Sequence, residues 1–243
     1  SGAPDLITVR GARLLNQADQ IIYAGSLVNP ELLDYKKESA VVYDSAKMTL
    51  EEVVEKIQEA ESTGKMTVRL HTGDPCVYGA IREQMDILEA LKIDYEVIPG
   101  VSSFLAAAAS MKKEYTLPGV SQTVILTRME GRTPVPEKEK IISLAKHGAT
   151  MIIFLSVNKI DVMVRLIQDS YRMDTPVAVV YKASWPEEKI IYGTLETIAD
   201  KVKSEGITKT ALVVIGDFLG DTYELSKLYD RSFETEYRKK AEN

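Results

Sequence analysis

The sequence predicts an α/β protein whose sheets are largely parallel or mixed and are flanked by helices. Short runs of β-branched residues alternate with longer segments of helical period. Some of the strand-like runs end in glycine or proline and lead directly into a helix, as at residues 66–91. The 243 residues, 45% of them hydrophobic, are enough for one large domain or two modest ones.

Strands are predicted where short apolar runs lie between turn residues. They cover residues 20–23, 66–72, 95–98, 123–127, 151–156, 177–181, 189–192 and 211–215. Helices are predicted on residues 50–61, 80–91, 102–111, 137–147, 159–171 and 195–204. The helix at 50–61 has the clearest signals, since Val53 and Ile57 share one face and Thr49 with Glu52 forms a capping-box pattern.

A domain boundary is predicted near Leu117. Pro118 and Gly119 stand between a helix of small residues and a new strand, which is typical of a linker. We therefore expect an N-terminal α/β domain at residues 1–117 and a C-terminal α/β domain at residues 118–243.

Composition excludes several classes of function. The net charge is −6 and the basic residues are scattered, so a nucleic-acid partner is not expected. Cys76 is the single cysteine and cannot form an internal disulfide, in keeping with a reducing compartment. The chain has neither an apolar run of about 20 residues nor a signal-peptide pattern, so we expect a cytoplasmic protein without a membrane partner.

The most specific motif is HTGDPCVYG at residues 71–79, between a predicted strand and a predicted helix. A tight glycine turn at this place directs backbone N–H groups and a helix N-terminus to the carboxyl edge of the sheet, where α/β proteins bind ligands. An ordinary strand-to-helix turn is the alternative, and Gly-Asp-Pro alone would favour it.

A second motif, PGVSS at residues 99–103, also follows a predicted strand and precedes a helix rich in alanine. Ser102 can cap that helix, and Ser103 can present a hydroxyl to a ligand. The alanines allow a close approach between the helix and a neighbouring element. Either motif by itself could be purely structural.

Together the two motifs resemble the tetrapyrrole methylase family, and the resemblance extends over essentially the whole chain. Residues 126–136 (LTRMEGRTPVP), 180–186 (VYKASWP) and 23–28 (YAGSLV) are similar to one branch in particular. That branch methylates C11 of precorrin-4 or cobalt-precorrin-4 in cobalamin biosynthesis.

The resemblance implies that S-adenosylmethionine binds in a cleft between two α/β domains and leaves as S-adenosylhomocysteine. It also implies a homodimer that acts on a small-molecule tetrapyrrole. The cofactor-binding positions that match the family by position are Thr72, Gly73, Asp74 and Val77 in the first loop, Ser102 and Ser103 in the second, and Leu155, Ala183 and Ala211 around adenosine. Without the resemblance, the last three would be assigned to the core.

The amino-terminal residues depart from the family pattern. Family members begin with an apolar strand that runs into a glycine-rich loop, whereas this sequence starts at Ser1-Gly2-Ala3-Pro4. We therefore expect the first strand and half of that loop to be missing from the N-terminal domain.

Tetrapyrrole substrates of the family carry many carboxylates, which guanidinium groups bind by paired hydrogen bonds. Arg128 and Arg132 are the candidates, with Lys182 at the end of another strand, although each could be a solvated surface charge. Asp74 or His71 could act as a general base. We expect instead that backbone hydrogen bonds hold Asp74, and His71 could be a structural imidazole.

The chemistry requires no catalytic metal or nucleophilic triad, because methyl transfer from a sulfonium mainly needs alignment and exclusion of water. Two alternatives stay open at this point. The chain could methylate uroporphyrinogen or another precorrin, or it could be a catalytically impaired module that still binds S-adenosylmethionine.

Overall fold

The structure is a computed structural model and describes residues 1–25, 27–226, 230, 233–234 and 236–239. The chain forms two compact units, one of residues 1–107 with 182–188 and the other of residues 108–181 with 189–243. Each unit contains its own sheet. The domain division near Leu117 stays a prediction from the sequence.

The first unit contains a parallel sheet of three strands. The strands are β1 (Gln20–Tyr23), β2 (Val41–Asp44) and β3 (Thr67–Leu70), in the order β2-β1-β3. The helices that belong wholly to this unit are α1 (Val9–Gln17), α2 (Leu50–Glu61) and α3 (Arg82–Ala90). Helix α4 (Ser103–Met111) spans the position at which the two units divide.

Burial on both faces explains why β1 is central. Ile21 packs with Leu15 and Leu70 on one face, whereas Ile22 packs with Val53 and Ile57 on the other. A strand covered on both sides reads as a continuous apolar run, which is why its bounds agree with the prediction.

The capping box predicted for α2 is confirmed. The Thr49 hydroxyl accepts a hydrogen bond from the Glu52 backbone N–H (3.3 Å), and the Glu52 carboxylate accepts one from the Thr49 N–H (2.7 Å). These bonds satisfy two N–H groups at the helix end, so the helix begins where the sequence indicates.

The second unit contains a mixed sheet of five strands. They are β4 (Val124–Arg128), β5 (Thr150–Phe154), β6 (Pro176–Tyr181), β7 (Lys189–Thr194) and β8 (Ala211–Ile215), in the order β4-β5-β8-β6-β7. Strands β4 and β5 are parallel, whereas β8 is antiparallel to both β5 and β6. Its helices are α5 (Ile141–Ala145), α6 (Ile160–Ile167) and α7 (Ile198–Ser204).

The prediction of a strand at residues 95–98 is wrong. Among the described residues they join no β-ladder: β3 pairs with β1 and with no other described strand, and a cavity of about 570 Å³ is lined by both β3 and residues 93–101. Without a neighbouring strand, Tyr95 and Val97 stay about 40% exposed.

One strand and one α-helix were not predicted, and several helices are shorter than predicted, among them those at 137–147 and 159–171. Strand β2 lies at the edge of its sheet and has no fully buried residue, while α1 buries only Leu15, so neither has a strong apolar pattern. The helix predicted at 137–147 is interrupted by Lys140, whose extended backbone (ψ 142°) separates a 3-10 turn from α5. None of the described helices is both long and apolar enough to cross a bilayer.

Candidate functional site

The first candidate loop follows β3 and packs directly against the second. Gly73 has φ +63°, and a Cβ atom at this position would lie 3.3 Å from the Ser102 Cα. Glycine meets both demands, since it adopts left-handed conformations freely and permits close backbone approach. Thr72 and Gly73 are half-buried at the carboxyl end of β3.

The Asp74 carboxylate joins the two loops. Its Oδ1 accepts a hydrogen bond from the Cys76 N–H (2.8 Å), and its Oδ2 accepts one from the Gly100 N–H (2.9 Å). A Cβ on Gly100 would lie 2.1 Å from the Gly73 carbonyl oxygen, so the loops touch through backbone atoms. The prediction that backbone hydrogen bonds hold Asp74 is confirmed. Val77 is one turn farther on, with its N–H bonded to the Asp74 carbonyl (3.2 Å).

The second candidate loop leads into α4. Ser102 is buried, and its carbonyl accepts hydrogen bonds from the Leu105 and Ala106 N–H groups (3.0 and 3.3 Å). The helix begins at Ser103, beside the first loop. The amino-terminal end of a helix carries a partial positive charge, which suits polar ligand atoms at this edge.

The turn at residues 182–188 brings Ala183 to the same edge. The buried Ala183 accepts a hydrogen bond at its carbonyl from the Gly2 N–H (3.0 Å). The adjoining Ser1 hydroxyl donates to the carbonyl of Val101, in the second loop (2.9 Å). The amino-terminal residues therefore connect Ala183 to the second loop.

Lys182 is already paired at this position. Its ammonium lies 3.5 Å from the Glu187 carboxylate and 5.3 Å from the centre of the Trp185 ring. Its charge is directed to these groups within the turn.

His71 lies at the end of β3 and lines the cavity beside that strand. Burial, assisted by the nearby Arg69 guanidinium, lowers the pKa of His71 to about 4. The imidazole is therefore neutral at neutral pH.

In the second unit, strand register places three predicted residues at one edge of the sheet. Arg128 pairs with Phe154 at the ends of β4 and β5, and Leu155 follows immediately. Because β8 runs antiparallel to β5 and β6, its first residue, Ala211, lies at that same edge, opposite Tyr181. Leu155 is 71% exposed and has φ +54°, whereas Ala211 is buried.

Arg128 and Arg132 differ in the hydrogen bonds that their guanidinium groups make. The Arg128 guanidinium donates to the carbonyls of Met129 (3.2 Å), Thr133 (3.1 Å) and Pro134 (3.2 Å), so it holds its own loop together. Arg132 is exposed and makes no hydrogen bond or ion pair with any described residue. A cavity of about 450 Å³ is lined by both Arg132 and Leu155.

The structure therefore brings the candidates together in two groups. In the first unit these are His71, Thr72, Gly73, Asp74, Val77, Ser102, Ser103, Lys182 and Ala183. In the second they are Arg128, Arg132, Leu155 and Ala211. The sequence alone did not identify the residues that contact Gly2, which are Asn29, Ser184 and Trp185. Ser184 and Trp185 lie inside the VYKASWP segment, and its similarity to the family could have pointed to them.

Known proteins match almost the whole chain. The sequence model of the family described as Tetrapyrrole (Corrin/Porphyrin) Methylases matches residues 1–199. A cobalt-precorrin-4 C(11)-methyltransferase of Methanocaldococcus jannaschii is 60% identical over 240 residues, covering 98% of this chain and 93% of the relative. A protein of the same name from Priestia megaterium is 48% identical, with 98% and 94% covered. The X-ray structure of a cobalt precorrin-4 methyltransferase superposes with a TM-score of 0.88 at 48% identity, covering 90% of this chain and 92% of that one.

Proposed function

The chain belongs to the tetrapyrrole (corrin/porphyrin) methylase family, and on that premise we propose that it transfers a methyl group from S-adenosylmethionine to C11 of cobalt-precorrin-4 or precorrin-4. The observation that carries this function is the 60% identity, over nearly the full length of both chains, to a relative named for that reaction. The 48% identical solved structure supports the same function.

The loops of the first unit fit the cofactor. Gly73 and Gly100 bring two backbone segments into contact, and α4 directs the positive end of its dipole to the same edge. Since both Asp74 oxygens accept backbone N–H groups, that side chain shapes the loops. We assign cofactor contacts to Thr72, Gly73, Asp74, Val77, Ser102 and Ser103 here, with Ala183 from the turn and Leu155 and Ala211 from the second unit.

When bound, S-adenosylmethionine supplies the methyl group as an electrophile on a sulfonium. This chain's residues then have to align the acceptor carbon with the methyl and exclude water. Backbone loops held by Asp74 suit that task because they are fixed before the ligands arrive, which reduces the entropic cost of alignment.

Substrate carboxylates are assigned to Arg132. Its guanidinium is exposed on the 129–134 loop, beside the cavity that Leu155 also lines. Arg128 orders that loop through its carbonyls, and Lys182, paired with Glu187, has a smaller part in substrate binding.

Both oxygens of Asp74 already accept backbone N–H groups, so we assign the role of general base to His71. A neutral imidazole can accept a proton, and its pKa of about 4 makes it a weak base at neutral pH. Replacement of His71 by Asn should leave cofactor binding intact. Methylation rates that stay unchanged across pH in that variant would remove His71 as a base.

We further propose that the protein acts as a homodimer in the cytoplasm. Exposed apolar residues, among them Val9, Val41 and Leu105, could serve such an interface. Analytical ultracentrifugation at micromolar concentration tests this assembly: a single species with twice the chain mass supports it, and a monomer rejects it.

Calorimetric titration with S-adenosylhomocysteine tests the cofactor assignment. Binding at one site per chain is the expected result. A chain that is folded by circular dichroism and shows no heat of binding would reject the methyltransferase function.

A further inference from the structure

Gly2 is enclosed on every side by groups of the first unit. Its N–H donates to the Ala183 carbonyl (3.0 Å) and the Ser184 hydroxyl (2.8 Å), and its carbonyl accepts from the Asn29 side-chain amide (2.8 Å). Above it lies the Trp185 ring, which a Cβ atom on Gly2 would approach to 1.9 Å. We call Asn29, Ser184 and Trp185 the Gly2 clamp.

The Ser184 hydroxyl is used twice in this clamp. In addition to the Gly2 N–H it accepts a hydrogen bond from the Ala3 N–H (3.1 Å). The residue holds this position with φ +64°, a conformation that L-residues other than asparagine and aspartate seldom adopt. The Ser184 N–H is fixed in turn by the Glu188 carboxylate.

The buried Asn29 side chain holds the Gly2 carbonyl in place. It is 6% exposed, and its two side-chain atoms are both occupied, the amide by the Gly2 carbonyl and the oxygen by the Glu31 N–H (3.0 Å). A buried amide that lost the Gly2 carbonyl would keep an unsatisfied donor. Residues 1–3 in this position therefore satisfy the Asn29 amide.

The clamp also connects two parts of the proposed cofactor site. Residues 1–3 contact the second cofactor loop, through the Ser1 hydroxyl and the Val101 carbonyl, and they contact Ala183 at the other end. Movement of Gly2 would thus change the position of Ala183 relative to that loop. Strained and buried polar groups combined in this way are typical of segments that position a ligand site.

We infer that Ser184 and Asn29 are positioning residues, which set the affinity for S-adenosylmethionine by holding Gly2 between Ala183 and the second loop. This inference rests on the proposed function. It assigns no direct role in methyl transfer to either side chain.

The test compares Ser184→Ala with Ser184→Asn and a control. Ser184→Ala keeps the backbone strain but loses the acceptor, so the dissociation constant of S-adenosylhomocysteine and the KM for S-adenosylmethionine should rise about tenfold. The KM for the tetrapyrrole should change less, since Arg132, its main proposed contact, lies in the second unit. Ser184→Asn supplies an acceptor in a residue that tolerates positive φ, and it should recover much of the loss.

Ser62→Ala is the matched control. Ser62 also bonds a backbone group, the Glu59 carbonyl at the end of α2 (2.9 Å), so its loss should leave cofactor binding unchanged. If Ser184→Ala lowers thermal stability yet binds S-adenosylhomocysteine as the unaltered chain does, Ser184 is only structural and the inference fails. Absence of binding by the unaltered chain would instead overturn the proposed function, and this is seen before any variant is compared.

Discussion

The Asp74 carboxylate and the Gly100 N–H are joined by a hydrogen bond of 2.9 Å, which closes two loops that are 26 residues apart in the chain. The second oxygen of the carboxylate accepts the Cys76 N–H. Hydrogen bonds to a charged acceptor are stronger than those to a neutral one. Asp74 therefore organises the carboxyl edge of the first sheet.

Asp74→Asn should weaken cofactor binding and lower stability together. The amide retains one acceptor oxygen but turns an NH₂ group towards a backbone donor, at an expected loss of about 1–3 kcal/mol in the free energy of unfolding. Urea unfolding and calorimetry with S-adenosylhomocysteine measure the two effects. Asp200→Asn, on the exposed surface of α7, is the control; equal behaviour of the two variants would contradict the role of Asp74.

Gly100→Ala should separate the loops by a steric effect. The added methyl would lie 2.1 Å from the Gly73 carbonyl oxygen, far inside van der Waals contact, so a loss of at least about 2 kcal/mol and of cofactor binding is expected. Thermal unfolding compares it with Gly131→Ala, whose methyl would meet no atom within 4 Å. A Gly100→Ala chain as stable as Gly131→Ala would show that the loops are not in contact.

The lowered pKa of His71 predicts that the free energy of unfolding falls in mild acid. Burial lowers its pKa from 6.5 to about 4 in the folded chain, so the unfolded chain binds the proton more readily in this interval. The contribution is complete above pH 6.5 and is lost as the pH falls towards 4, by up to about 3 kcal/mol.

Urea unfolding of the unaltered chain and of His71→Asn between pH 7 and pH 4 measures this contribution. The variant cannot titrate at this position, so its stability should fall less steeply over the interval. Parallel curves for the two chains would show that His71 titrates normally when folded.

Arg128 and Arg132 should respond differently to replacement by lysine. Arg128→Lys loses hydrogen bonds to the Thr133 and Pro134 carbonyls, so hydrogen exchange in the 129–134 loop should speed up. Arg132→Lys should leave exchange unchanged and raise the KM for the tetrapyrrole about tenfold, because one bidentate contact is lost. The reverse pattern would exchange the two roles.

Tyr171→Phe should lower the stability of the chain without changing its affinity for the cofactor. The buried Tyr171 hydroxyl donates to the Ala149 carbonyl (2.6 Å), and burial raises the pKa of Tyr171 to about 12. Removal of the hydroxyl should lower the free energy of unfolding by about 1–2 kcal/mol, because a buried hydrogen bond is lost. Cofactor affinity should be unchanged; a parallel loss of affinity would contradict the assignment of this contact to the core.

Much of the fold could be predicted because the buried strands are short, continuous apolar runs. β8 is buried along its length and β1 at all but its last residue, and both have the predicted bounds. Strand pairing depends on neighbours that a local pattern does not reveal, which is why residues 95–98 were wrongly assigned and the edge strand β2 was missed.

The two candidate loops could be located from their glycines and from their position between strand and helix. The structure adds what local sequence does not contain, namely that Asp74 bonds to Gly100 and that Asn29 and Ser184 meet at Gly2. These contacts join residues distant in the chain. The hydrogen bonds of Arg128 to its own loop likewise depend on a backbone path that charge alone does not predict.

A methyl-transfer assay with isotopically labelled S-adenosylmethionine tests the proposed reaction, with cobalt-precorrin-4, precorrin-4 and uroporphyrinogen III supplied in parallel. We expect precorrin-4 or its cobalt form to gain the mass of one labelled methyl group, located at C11 by NMR, while uroporphyrinogen III gains none. Label on uroporphyrinogen III alone, or on none of the three substrates with a chain that binds S-adenosylhomocysteine, would contradict it.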